Sequence, residues 1–218
     1  PLTIIKGKLK KIQKDIDSGD INLALIREDL AKIEKTSDRI AKIIRGLSSY
    51  SRNSKADPME SIKFSQIVED TISLCEDRFK FKNIDLLVSS SEEFMLECRP
   101  SQIAQVVINL LSNAHDAIEK NEEKWVKLDV SHNDQFVLIS VTDSGYGIPR
   151  EIQEKILQPF FTTKTMGKGT GLGLSISKEI IEDHQGELSY DSSCNNTRFV
   201  LKIPLQQKKE DIDQKLAA

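Results

Sequence analysis

Apolar side chains recur every three or four positions over residues 1–51. They run as Leu2, Ile5, Leu9, Ile12 and Ile16, then Leu23, Ile26, Leu30 and Ile33, then Ile40, Ile44 and Leu47, with Ser37 filling the slot between. Alternating steps of three and four lay a narrow seam along one face of a helix. Asp17-Ser18-Gly19-Asp20 interrupts the pattern with turn residues, and Asp20 stands where it would cap a second helix. The expected element is a helical hairpin over 1–51. Two amphipathic helices cannot bury both seams alone, so a second copy is expected to complete a four-helix bundle. Packing of the hairpin back on its own domain is the alternative.

The polar stretch that ends at Pro58 reads as a linker, 52–59. Beyond it the period changes. A short strand is expected at 62–64, an amphipathic helix at 65–82, and strands at 84–90 and 94–98. Pro100 opens a helix that runs to about Lys120, its missing N–H costing nothing in the first turn. Two alternating runs, 126–131 and 136–142, read as a hairpin around His132-Asn133-Asp134. A glycine-rich segment leads to a helix at 171–184, and strands at 187–191 and 197–203 close the domain. Strands and helices mix without regular βαβ alternation, so the class is α+β, a mixed sheet with helices on one face.

Composition narrows the function classes. The 218 residues are 38 % hydrophobic and 30 % charged with a net charge of −3, which gives no basic surface for nucleic acid. No run approaches the roughly 18 apolar residues of a membrane span, and no signal-peptide pattern opens the chain. A cytoplasmic protein is expected, any membrane anchor lying elsewhere in a parent protein. Cys75, Cys98 and Cys194 are widely spaced and odd in number, as befits thiols in a reducing compartment.

Four short motifs follow in order between residues 105 and 174. In Gln105–Ala117, Asn109, Asn113 and Asp116 stand at i, i+4 and i+7 and share one side of a helix, while Val106, Val107, Leu110 and Leu111 take the other. Amide oxygens are hard ligands suited to Mg²⁺, although N-x-x-x-N alone reads better as two surface asparagines. Asp143-Ser144-Gly145-Tyr146-Gly147-Ile148-Pro149 follows a strand; its carboxylate can accept a hydrogen bond from an exocyclic amine while the glycines admit a flat ring. By itself it is also an ordinary turn. Pro159–Lys164 and Gly167–Leu174 come next, and the glycines precede a helix, so unpaired N–H groups and the positive helix end converge as in an anion site. The spacing is neither that of a P-loop nor of a Rossmann crossover.

Together these segments resemble the N, G1, F and G2 boxes of the Bergerat-type ATPase family, shared by sensor histidine kinases, gyrase and MutL-type ATPases and heat-shock chaperone ATPases. The resemblance covers roughly 60–205 and implies an α/β sandwich that holds ATP between helices and a mobile lid, with 206–218 a polar tail. The hydrolysing members carry a glutamate where this chain has Asn109. An amide cannot take a proton from water at neutral pH, so the resemblance favours a kinase. Pro1-Leu2-Thr3-Ile4-Ile5 is similar to the tail of the histidine-kinase H box, which implies that the acceptor histidine and its neighbouring glutamate lie upstream of Pro1. No catalytic residue is therefore assigned within the chain. His115 is expected to be exposed on the N-box helix, with lining of the site the alternative, His132 to sit in the hairpin turn, and His184 to lie at a helix C-terminus, where a cation is favoured.

The resemblance implies ATP and Mg²⁺ as ligands. Asn113 would ligate the metal, with Asn109 and Asp116 supporting the metal, its waters or the phosphates. Asp143 would bond the adenine amine, Gly145 and Gly147 would allow close approach, and Ile148 would pack on the base. Thr197 would back Asp143 through water, in a strand similar to the family's G-T-x-F with Asn196 in place of glycine; an ordinary strand threonine is the alternative. Phe160, Phe161 and Lys164 would belong to the lid, Lys164 or Lys168 meeting the γ-phosphate; a solvated lysine is the alternative. Gly169, Gly171 and Gly173 would offer amides to the phosphates, interleaved with Thr170, Leu172 and Leu174. Arg99 stands where the family has aspartate, away from the site. The implied partners are a second copy through the hairpin and a response-regulator receiver domain. A nucleotide-binding interaction module or pseudokinase, and a hydrolysing ATPase, are the competing readings.

Overall fold

The computed structural model describes residues 2–19, 22–34, 36, 58–90, 93–164 and 169–207. They divide into two compact units. One comprises the N-terminal helices and the segment Gln158–Gly173; the other holds the sheets and the remaining helices. Expectations placed on Asp20, Ser37, Ile40, Ile44, Leu47, the linker up to residue 57, Lys168 and the tail from residue 208 fall outside the described residues.

In the first unit, α1 spans Leu2–Asp17 and a turn at Ser18-Gly19 follows. Residues 23–34 form α2. Its cap is Asn22, whose Oδ1 accepts the Ala24 and Leu25 N–H groups at 3.1 and 3.2 Å. Asp29, nearly buried on α2, receives Lys8 Nζ at 2.7 Å and Lys11 Nζ at 3.1 Å from α1. Ile5, Ile12, Ile26 and Ile33 are half-buried, whereas Leu9, Ile16, Leu23 and Leu30 stay about half exposed or more. The seam is only partly covered.

The second unit is built on a five-stranded sheet in the order β2-β4-β5-β7-β6, where β2 is Asp85–Ser90, β4 Trp125–His132, β5 Phe136–Asp143, β6 Glu187–Tyr190 and β7 Thr197–Pro204. Only β2 and β4 run parallel; the other neighbours are antiparallel. A separate pair joins β1 (Glu60–Lys63) to β3 (Met95–Cys98). Alternation along the strands buries Val126, Leu128 and Val130, then Val137, Ile139 and Val141, then Phe199, Leu201 and Ile203 on one face. Helix α3 (Phe64–Phe81) brings Phe64, Ile67, Cys75 and Phe79 to the core. Helix α4 (Pro100–Ile118) adds Ile103, Val106, Val107, Leu110 and Leu111. Each such side chain contributes about 1.5–3 kcal/mol of burial. Helices α5 (Arg150–Gln153) and α6 (Gly173–Asp183) complete the set. The fold is α+β.

Most boundaries lie within two residues of those expected, and α5, a single turn, was not expected. His132 is the last residue of β4, not part of the turn: it pairs with Val137, and its ring lies 4.5 Å from that of Phe94. Asn133 makes the turn instead, its Oδ1 accepting the Gln135 and Phe136 N–H groups. Gln207 is still tied in, its N–H donating to Glu97 Oε2 at 2.9 Å. No helix among the described residues is long and apolar enough to cross a membrane.

Candidate functional site

The end of β5 carries Asp143 directly opposite Thr197, the first residue of β7. Asp143 is buried, its Oδ1 accepts the Gly145 N–H at 2.8 Å, and the Thr197 hydroxyl donates to the carboxylate. Burial pushes the Asp143 carboxyl up, to about 6, against the opposing pull of those two donors. Gly145 is required by close approach: a Cβ there would sit 2.6 Å from Asp143 Oδ1 and 3.0 Å from Thr197 Oγ1. Ser144 extends the strand pairing to Trp125, and its hydroxyl donates to the Glu123 carbonyl at 2.8 Å.

Three residues outside the Asp143–Pro149 segment fix this loop. Asn196, in the place of the family's glycine, donates through Nδ2 to the Gly145 carbonyl at 3.1 Å. The Tyr190 hydroxyl, beside Gly147, accepts the Ile148 N–H at 2.9 Å. Gln153 Nε2 donates to the Ile148 carbonyl at 2.7 Å, so the short α5 braces the same residue. Ile148 stays half-buried and Tyr146 points to solvent. Separation in sequence hid the contacts of Tyr190 and Asn196, 42 and 51 residues from their partners, whereas Gln153 is only five residues from Ile148.

On α4 the expected polar face exists, and its members have separate partners. Asn109 Nδ2 donates to Ser177 Oγ at 2.9 Å, which sets α6 beside α4. Asn113, one turn on, is half-buried. Asp116 Oδ1 receives Arg78 Nη2 of α3 at 2.5 Å and lies 3.2 Å from His115 Nδ1. His115 is buried, contrary to expectation, with its ring edge-on to Phe79 at a centroid distance of 5.3 Å. Its position four residues after Leu111 puts it on the apolar side of the helix, a signal the sequence did contain.

His184 is also buried and is not a helix-terminal cation. Its Nδ1 lies 2.7 Å from the Ile180 carbonyl, and its Nε2 accepts the Arg99 N–H at 3.1 Å, the neutral tautomer with the proton on Nδ1. Burial holds its pKa below the ordinary imidazole value. Among the described residues no three His, Cys, Asp or Glu side chains gather as a metal cluster. The groups that could hold a hard cation are the side-chain amide oxygens of Asn109 and Asn113 on α4, whose chemistry suits Mg²⁺.

The segment Gln158–Gly173 is built around two close approaches. Phe160 and Gly171 both have left-handed backbone, at φ 67° and 69°, and a Cβ on Gly171 would overlap the Phe160 backbone. The Phe160 ring is largely exposed and Phe161 half-buried. Gly169 packs on Thr162 and Lys164, while the Thr170 hydroxyl accepts the Leu172 N–H at 3.3 Å. Gly173 and Leu174 open α6.

Comparison with known proteins accords with this geometry. Residues 98–207 match the family described as histidine kinase-, DNA gyrase B-, and HSP90-like ATPase. The chain is 30 % identical over 215 residues to sporulation kinase E of Bacillus subtilis (strain 168), covering 97 % of this chain and 28 % of that protein. It thus spans about a quarter of the length of curated relatives such as this one. The nucleotide-free catalytic domain of histidine kinase ThkA shares 36 % identity at a TM-score of 0.59, covering 67 % of this chain and 99 % of that one. ThkA in complex with the response regulator protein TrrA shares 29 % identity at a TM-score of 0.69, covering 96 % of this chain and 59 % of that one. Since that match takes in α4, the Asp143 loop, the glycine segment and β7, the chain belongs to the histidine kinase-, DNA gyrase B- and HSP90-like ATPase family, and its relatives are sensor histidine kinases.

Proposed function

We propose that this chain binds ATP with Mg²⁺ and forms the catalytic part of an autophosphorylating protein histidine kinase. The γ-phosphoryl group would pass to a histidine upstream of Pro1, then to an aspartate of a response-regulator receiver domain. The observation that carries the reading is the buried carboxylate of Asp143, opposite Thr197 and against Gly145. Among the described residues no cation pairs with this carboxylate, which suits it to accept a purine amine, and the glycine leaves the ring room.

In this reading Asn113 holds the metal through its amide oxygen and Asn109 supports it, its own amide nitrogen being committed to Ser177. Mg²⁺, when bound, neutralises phosphate oxygens. Gly145, Gly147 and Ile148 shape the adenine side. Phe160, Phe161, Lys164, Lys168, Gly169, Thr170, Gly171, Leu172, Gly173 and Leu174 serve as lid and phosphate cradle. Asn109 takes the place of the glutamate that activates water, so the chain holds the nucleotide for another nucleophile. The half-exposed Leu9, Ile16, Leu23 and Leu30 support dimerisation through the hairpin of 1–51, with 60–205 as the catalytic domain. We place the activity in the cytoplasm.

The test is to extend the chain upstream until it includes the histidine, incubate it with γ-labelled ATP, and follow the label. An acid-labile, base-stable phosphoryl group, lost on replacing that histidine by glutamine, is the expected result. Steady release of free phosphate without protein label would overturn it in favour of a hydrolase.

A further inference from the structure

We propose that Arg78 contacts the polyphosphate arm of the nucleotide, and that Asp116 serves to hold it there. The inference rests on the nucleotide reading above. Asp116 stands three residues after Asn113 and seven after Asn109, on the helix face assigned to metal and phosphates. A bare carboxylate at that place would repel a triphosphate. It is not bare. Arg78 reaches over from α3, 38 residues earlier, with Nη2 2.5 Å from Asp116 Oδ1 and Nη1 2.8 Å from Ser112 Oγ.

The anchorage is two-sided. His115, buried behind the carboxylate, lies 3.2 Å from the same Asp116 oxygen, and Phe79 holds the imidazole from the α3 side. In front, two contacts to one helix fix the plane of the guanidinium. An arginine has five N–H donors, and Ser112 and Asp116 take one each. The side chain remains 49 % exposed, so the fork keeps access to solvent. The Arg78–Asp116 pair thereby turns a repulsive position into one that offers planar donors to phosphate oxygens, the geometry for which arginine is suited and lysine is not.

The experiment is calorimetric titration of a non-hydrolysable ATP analogue, and separately of adenosine, with Mg²⁺ present. It uses the whole chain as wild type, Arg78→Ala, Arg78→Lys and Arg78→Ala with Asp116→Asn. Arg78→Ala is expected to weaken the analogue about tenfold to a hundredfold, the scale of a charge-assisted hydrogen bond, and to leave adenosine unchanged. Arg78→Lys should recover part of the loss. The double variant should remain weak, because the phosphate contact is still missing. Full recovery there would overturn the proposal, since Arg78 would then be only a counter-ion. Equal weakening of adenosine and analogue, or no weakening of either, would also overturn it. Failure of the wild type to bind either ligand would instead defeat the nucleotide reading itself.

Discussion

Asp143 and Thr197 are paired residues on adjacent antiparallel strands, and the threonine hydroxyl donates to the aspartate carboxylate. The sheet itself thus aims the acid. Because β5 and β7 are hydrogen-bonded along eight residue pairs, neither partner can move without disturbing the ladder. A buried carboxylate held this way gives the candidate site its pH dependence.

Ionised Asp143 is the form that accepts a purine amine, and burial raises its pKa to about 6. Adenine-nucleotide affinity is therefore expected to fall as pH drops through 6. Asp143→Asn should flatten that part of the profile, whereas the titration of the phosphates themselves stays in both proteins. The measurement is calorimetric affinity from pH 5 to 8 for the two chains. Parallel profiles would contradict the assignment.

Stability carries the opposite signature. Asp143 has a folded pKa above its ordinary 3.8, so its contribution to stability is full below that value and is lost as pH rises through about 6. His184 has a folded pKa below 6.5, so its contribution is full above 6.5 and is lost as pH falls below it. In urea melts at pH 5, 6 and 7, Asp143→Asn should tilt the profile toward lower stability in acid, and His184→Gln should tilt it the opposite way. The glutamine can still accept the Arg99 N–H.

Gly145→Ala is expected to bring a methyl group onto Asp143 Oδ1 and Thr197 Oγ1. The strand ends should shift at a cost of about 1–3 kcal/mol, with nucleotide binding lost while the fold survives. Circular dichroism with parallel titration checks both halves. A variant that binds normally would show that the carboxylate is not confined as described.

Thr197→Val keeps the strand shape and removes only the hydroxyl. It should cost about 1 kcal/mol and raise the Asp143 pKa further, moving the loss of affinity to higher pH; Thr197→Ser should behave like the wild type. An NMR titration of the carboxyl carbon would read the shift directly.

Much of this was legible in the sequence for a physical reason. Strand β4 and the first six residues of β5 alternate because one face enters the core and the other stays at least partly open, and Pro100 marks its helix because a missing N–H fits only the first turn. Long-range pairing was less legible. Nothing local shows that β2 runs parallel to β4, or that β1 pairs with β3 away from the main sheet. The same limit applies around the motifs. Asp143, Gly145 and Asn109 lie in recognisable patterns, but Ser177, Tyr190, Asn196 and Arg78 act from 68, 42, 51 and 38 residues away along the chain. His184 misled because its place near a helix end suggested a cation, while the fold uses it as a neutral link between α6 and the start of α4.

The measurement that bears most directly on the central claim is titration of this 218-residue chain with an ATP analogue and Mg²⁺, following the amide signals of Gly145 and Gly147 by NMR. Saturable shifts are expected at both glycines in the wild type, and saturation at much higher analogue concentration in Asp143→Asn. Saturable binding that leaves those amides unmoved, or that persists undiminished without the carboxylate, would contradict that claim.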